Sequence, residues 1–299
     1  MFEIEMDREE KLDVSCMGLH SLPELPDTLT SLLCYGNFLS VLPTLPPGLI
    51  TLCCYRNELT SLPELPVNLQ FLWCDANFLT TLPTLPPSLQ VLRCYKNQLT
   101  CLPEFPSSLH EVCCSSNRLT MLPTLNPLLR ELRCYDNQLT ALPTLPDLRI
   151  VWCHRNQLTC LPDLPTSLAE LLCSGNSLMS LPALPHSLTE LRCSFNRLTM
   201  MPELPASLNH LRLCENAWKL PFSRIVTANN PIRAIRTYWS LRRRRIDMIV
   251  LKYTLSRQTF ACLNQDIVNE IGFSLSGKQG TLAVQIEAFQ IAFLQLCTF

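Results

Sequence analysis

Apolar residues recur in one fixed phrase along the first two thirds of the chain. In the stretch from Leu82 to Leu102, LPTLPPSLQVLRCYKNQLTCL, the recurring ones fall at Leu89, Leu92, Cys94 and Leu99, with mostly polar residues between them and an Asn at position 97. That Asn returns at 37, 57, 77, 97, 117, 137, 156, 176, 196 and 216, a period of 20 broken once by a 19-residue step. So short a period predicts a solenoid, in which each unit is one coil that buries its apolar side only by stacking on its neighbours. Within a coil, the alternation Leu92-Arg93-Cys94-Tyr95 predicts a short strand with Leu and Cys turned inward. The Leu-Pro-x-Leu-Pro segment cannot be helical, because Pro fixes φ and removes a donor. It predicts an extended, polyproline-like return whose leucines face the core.

The periodicity changes how the composition reads. Of 24 prolines, 22 lie between Pro23 and Pro205, so they are architectural. Seventeen cysteines would suggest metal or redox chemistry, yet the chain contains no Cys-x-x-Cys and no His-Glu-x-x-His. Nine of them (Cys34, Cys54, Cys74, Cys94, Cys114, Cys134, Cys153, Cys173 and Cys193) occupy one column of the repeat and are expected as small core residues. Side chains stacked along parallel strands about 4.8 Å apart suit disulfide geometry poorly. The Asn column is expected to satisfy backbone groups where each coil leaves the sheet.

The unit LxxLxCxxNxLTxLPxLPxxL resembles the leucine-rich repeats of bacterial type III secreted effectors that carry a ubiquitin-ligase domain. It resembles more closely the Cys-rich leucine-rich repeat proteins of giant DNA viruses. The likeness covers residues 12 to about 221. It implies a leucine-rich repeat solenoid with parallel β-strands on a concave face, an extended convex side and a small C-terminal α-helical cap. Ligase chemistry is not carried over: the only Cys-x-Asp, Cys134-Tyr135-Asp136, sits at a core position, and Cys262 and Cys297 lack the Asp. The expected domains are an N-terminal cap over 1–11, a solenoid of about ten 20-residue repeats over 12–221, and a basic helical region over 222–299.

Residues flanking the inward Leu and Cys face solvent on the concave side. The column after each core Cys includes Tyr35, Tyr55, Tyr95, Tyr135 and His154, and the column before includes Trp73, Arg93, Arg133 and Trp152. Tyr, Trp and Arg are the residue types enriched at binding hot spots, so these nine are the candidate partner-binding residues. A competing account has Glu111, Glu131, Glu170 and Glu190 pairing with the arginines as a solvated ladder. No catalytic constellation occurs, and neither metal nor cofactor is expected.

Charge is divided unevenly: residues 1–216 carry 13 Lys and Arg against 21 Asp and Glu, and residues 217–299 carry 11 against 4. Pro231 opens a predicted helix whose Arg233, Arg236, Arg242, Arg243, Arg244 and Arg245 form a basic stripe. Such a stripe offers contact with nucleic acid or an anionic surface, although a helix face docked on an acidic body is the commoner outcome. Further on, Leu263, Ile267, Ile271 and Leu275 are spaced like the opening of an F-box, with Asn264 where that motif prefers Pro. This gives the alternative function, a substrate adaptor of a cullin-type ubiquitin ligase. Gly272, Gly277 and Lys278 imitate a phosphate-binding loop, but Gln279 replaces the Ser or Thr that would hold Mg²⁺. The final apolar segment is interrupted by Gln285, Glu287, Gln290 and Gln295, so a buried helix is expected there and no membrane span. The start, MFEIEMDREE, lacks a secretory pattern, and the expected compartment is intracellular. The leading expectation is a non-enzymatic module that binds a partner protein on its concave face.

Overall fold

The computed structural model describes residues 10–219, 222–225 and 230–254. Eleven three-residue strands form one parallel sheet in chain order: β1 (Lys11–Asp13), β2 (Ser31–Leu33), β3 (Thr51–Cys53), β4 (Phe71–Trp73), β5 (Val91–Arg93), β6 (Glu111–Cys113), β7 (Glu131–Arg133), β8 (Ile150–Trp152), β9 (Glu170–Leu172), β10 (Glu190–Arg192) and β11 (His210–Arg212). Each strand pairs in register with the next coil, as in Leu72↔Leu92 and Trp73↔Arg93. The sheet stops after three residues because the chain must turn out toward the proline-rich return, which carries neither helix nor strand. Leucines of that return, such as Leu42, Leu122 and Leu142, meet the strand leucines and the Cys column in one continuous core.

All nine column cysteines are fully buried, with Val14 in the same place in the first coil. Behind them the Asn side chains bridge consecutive coils. Asn97 donates from Nδ2 to the carbonyls of Cys74 (3.0 Å) and Cys94 (3.1 Å), while its Oδ1 accepts from the Leu79 N–H (3.0 Å). The same set repeats from Asn37 to Asn216. At the start, Met17 stands in the Asn column and is exposed, and the Asn37 carbonyl oxygen accepts from both Met17 N and Leu19 N at 3.0 Å.

Two further ladders hold the coils. The residue before each Asn column position has a left-handed backbone: Arg56, Ala76, Lys96 and Phe195 have φ of 55°, 50°, 55° and 55°, and Gly36 and Gly175 have 67° and 65°. This conformation costs a non-glycine residue about 1–2 kcal/mol. It is held because its N–H bonds to the next coil, as Lys96 N does to Ser115 O at 2.9 Å. On the convex side, Ser88, Ser108, Ser167, Ser187 and Ser207 each donate a hydroxyl hydrogen to a leucine carbonyl of the preceding coil, at 2.6–2.9 Å. The 19-residue step is absorbed in the turn at Asp147, where Leu148 N reaches Pro146 O at 2.7 Å, so the register Leu132↔Val151 is undisturbed.

The chain divides into two compact units, Met1–Trp239 and Ser240–Phe299. In the first, a short helix α1 (Phe222–Ile225) and the opening turns of helix α2 (Pro231–Thr254) close the last coil. Asn230 caps α2 by accepting from Arg233 N (3.0 Å), and Pro231 occupies the first helical position, where its missing donor is harmless. Phe222 and Ile235 are buried, and Trp239 Nε1 donates to Met201 O at 3.1 Å. Arg236 departs from the expected basic stripe. Its Nη2 donates to the carbonyls of Pro205, Leu208 and Ala206, so its charge serves the solenoid end instead of an external anion. Arg233 and Arg243 are exposed. No helix among the described residues is long and apolar enough to cross a membrane.

Candidate functional site

The concave face is built by the period-two rule: in β1 to β10 the central Leu or Val is buried, and most of the flanking residues turn outward. Stacking coils then brings residues 20 apart in sequence into neighbouring rows, so side chains of one column touch along the solenoid. All nine candidate residues are partly exposed on this face.

Eight of them form two connected groups, while Tyr95 is tied to Asp75 through its backbone N–H. Tyr35 and Tyr55 stack with ring centroids 4.5 Å apart. The larger group crosses from β4 to β9. The Arg93 guanidinium lies 5.5 Å from the Trp73 ring centroid and bonds to Glu111 at 2.9 Å. Glu111 also meets Arg133 at 3.5 Å, and Arg133 is held by Glu131 at 2.7 Å and lies 4.8 Å over the Trp152 ring. Trp152 Nε1 in turn donates to Glu170 Oε2 at 3.2 Å. Tyr135 stacks on His154 at 4.4 Å and tilts against Trp152 at 6.5 Å. The expected acid–base ladder and the expected aromatic surface are therefore one network, in which the carboxylates fix the arginines over the indoles.

Some face positions are covered. Cys53 and Cys113, which stand in the same outward column as Trp73 and Arg93, are buried at 1% and 8% exposure, because small side chains sink between the larger ones of adjacent coils. Asp75 and Ser115 are buried in the tyrosine column at 5% and 0%. Asp75 accepts one hydrogen bond, from Tyr95 N at 3.1 Å, and burial pushes its carboxyl up to about 7 despite that bond and the nearby Arg93 charge. Burial likewise raises the Tyr55, Tyr95 and Tyr135 phenols. It lowers His154, with Arg155 adding to the effect, so that imidazole is held neutral against the Tyr135 ring.

The thiols of the core column have little chemistry to offer. Burial raises Cys34, Cys153 and Cys193 to about 12 and the rest of the column in the same direction, and the thiolate is the reactive species. Cys16, Cys101, Cys160 and Cys214 are exposed. Iodoacetamide at pH 8 followed by peptide mass spectrometry is expected to label these four and to spare the nine column cysteines until denaturant is added. Comparable labelling of the column in the folded protein would contradict its burial. Among the described residues no group of three or more His, Cys, Asp or Glu is placed to hold a metal ion. The F-box-like residues Leu263, Ile267, Ile271 and Leu275 lie outside the described residues, as do the Gly277-Lys278 loop and the terminal apolar segment.

No family model matches the chain, and no curated protein matches it. Solved structures do. YopM from Yersinia enterocolitica is 41% identical with a TM-score of 0.70, over 70% of this chain and 47% of that one. The chain thus spans about half the length of that protein. A leucine-rich effector, YopM from Yersinia pestis, is 31% identical over 70% of this chain and 84% of that one, with a TM-score of 0.45. A chain of the octameric complex of latrophilin 3, Unc5D and FLRT2, the last contributing a leucine-rich repeat part, is 19% identical over 69% of this chain and 90% of that one, with a TM-score of 0.50.

Proposed function

We propose that this chain, a leucine-rich repeat protein, is a non-enzymatic module that binds a partner protein on its concave face, between Tyr35 and His154. The observation that carries this reading is the continuous chain Trp73, Arg93, Glu111, Arg133, Trp152, Glu170, in which two indoles and two guanidinium groups are fixed by ion pairs and ring contacts. Holding hot-spot side chains in place before contact removes part of the ordering entropy that association otherwise costs, about 0.5–1.5 kcal/mol per side chain. The arginines keep donors beyond those used by the carboxylates, and the aromatic faces stay partly open, so the network presents a surface as well as bracing the sheet. The resemblance of the repeat unit to those of secreted bacterial effectors and of giant-virus proteins supports action inside a host cell.

The test is capture from host-cell lysate with the full chain and with Trp73→Ala/Tyr95→Ala/Trp152→Ala, circular dichroism confirming that the variant remains folded. Partners retained by the wild type and lost by the variant are expected. An unchanged bound set would sink the concave-face reading. Ubiquitin-ligase subunits lost only with Ile267→Ser/Ile271→Ser would instead mark the adaptor role.

A further inference from the structure

Charged and uncharged residues separate along the concave face. Over β6 to β10 each strand carboxylate is already engaged: Glu111 by Arg93 and Arg133, Glu131 by Arg133, Glu170 by Trp152, and Glu190 by Arg192. Over β2 to β5 the face is aromatic and aliphatic, with Tyr35, Tyr55, Phe71, Trp73 and Tyr95 partly exposed across four adjacent strands. Its charged members there are Asp75, which is buried, and Arg93, which is turned to Glu111. One rim of this patch is different. Arg56 and Lys96, at the left-handed positions that follow Tyr55 and Tyr95, are exposed and have no carboxylate within ion-pair distance among the described residues. Glu58 is also exposed, one column farther out, and is not paired with Arg56. Arg56 directly follows Tyr55 in the chain, and its charge acts on both the Tyr55 and the Tyr95 phenols, so the cation lies within electrostatic range of the aromatic rows. The opposite rim, Thr30, Ile50, Gln70 and Gln90, is neutral.

An uncharged aromatic patch with unpaired cations along one side is complementary to an apolar segment with carboxylates on one side. We propose that the β2 to β5 patch docks an acidic, extended peptide segment of the partner, its aliphatic or aromatic side chains on the tyrosine and tryptophan rows and its carboxylates on Arg56 and Lys96. This rests on the concave-face reading and specifies the partner's chemistry. Arg56 and Lys96 are two coils apart, about 10 Å at the spacing of neighbouring strands. An extended or polyproline-like chain covers that distance in three residues, so two carboxylates spaced i and i+3 match the rim.

The experiment is selection of a random 12-residue displayed peptide library on the full chain, followed by titration of the enriched synthetic peptides. Enriched sequences are expected to combine apolar residues with net negative charge and acidic residues three apart, and to bind more weakly as salt is raised. Their affinity should fall at least tenfold with Tyr35→Ala/Tyr55→Ala, and selection on Arg56→Glu/Lys96→Glu should favour Lys- and Arg-containing peptides. Enrichment of basic or uncharged sequences, no enrichment at all, or indifference to both variants would overturn the proposal. A natural partner lost with Trp73→Ala/Tyr95→Ala/Trp152→Ala but retained by Arg56→Glu/Lys96→Glu would overturn it while leaving the concave face as the binding surface.

Discussion

Asn77→Ala is expected to destabilise the solenoid by about 3–5 kcal/mol, read as a lower urea midpoint by circular dichroism. Asn77 is 5% exposed, and its Nδ2 donates to the carbonyls of Cys54 (3.0 Å), Cys74 (3.2 Å) and Asp75 (3.2 Å) while its Oδ1 accepts from Leu59 N (3.0 Å). Alanine would leave several buried backbone groups without partners, each costing about 1–3 kcal/mol, with partial relaxation reducing the sum. The damage should spread, because a repeat contacts only its neighbours and Asn77 ties its own coil to the preceding one. Asn216→Ala, in the last coil, removes a comparable set of bonds where the backbone is partly solvated, and about 1–2 kcal/mol is expected there. Equal losses at the two sites would show that burial does not set the strength of the Asn ladder.

Asp75→Asn is expected to stabilise the protein, and to do so more strongly as pH rises. The folded carboxyl titrates near 7, above its ordinary value of 3.8, because burial disfavours the charge. The folded state therefore binds the proton more tightly than the unfolded chain. Wild-type stability is fully present below about pH 4 and is lost as pH climbs through 7. A shift of this size corresponds to about 4 kcal/mol as an upper limit at one pKa unit per 1.4 kcal/mol. An Asn oxygen can still accept from Tyr95 N, so the variant keeps the hydrogen bond and sheds the charge. Thermal melts of both proteins should nearly coincide near pH 3.5 and separate progressively up to pH 8.5, with the variant higher. A wild type that gains stability over this range relative to the variant would show that Arg93 neutralises Asp75 in spite of its pairing with Glu111.

Both predictions concern positions whose column was legible in the sequence and whose depth was not. The Asn and Cys columns announced themselves by period, and the sheet, the buried thiols and the backbone bridges follow from it. Asp75 and Ser115 fall in a column of tyrosines and look equally exposed on paper, since alternation says which way a side chain points and nothing of how far its neighbours overhang it. Cys53 and Cys113, in the column of Trp73 and Arg93, are covered for the same reason. The left-handed position before each Asn was hidden because Arg56, Lys96 and Phe195 occupy it, yet Gly36 and Gly175 in that column were a usable signal. Gly36 has a second reason to lack a side chain, as a Cβ there would sit 2.8 Å from Cys16 Sγ. The convex serine ladder was likewise present as a column. Arg236 was not recoverable, because helical spacing assigns it to a basic stripe and only the open carbonyls of the last coil reveal its use.

The joining of arginines and aromatics into one network is the part of the site that depended on three dimensions. From the sequence, Glu111 and Glu131 argued against a binding surface by offering the arginines partners. In the structure those partners position the guanidinium groups over Trp73 and Trp152, so the ion pairs organise the surface they were expected to neutralise.

The most direct test of the concave-face account is the affinity of a captured, purified partner for the wild type and for Trp73→Ala/Trp152→Ala, measured by calorimetry at one salt concentration. Two hot-spot truncations at about 2 kcal/mol or more each predict a loss of at least about five-hundredfold with the fold intact. An affinity unchanged within about threefold, about 0.7 kcal/mol, would contradict the account and move the binding site off the concave face.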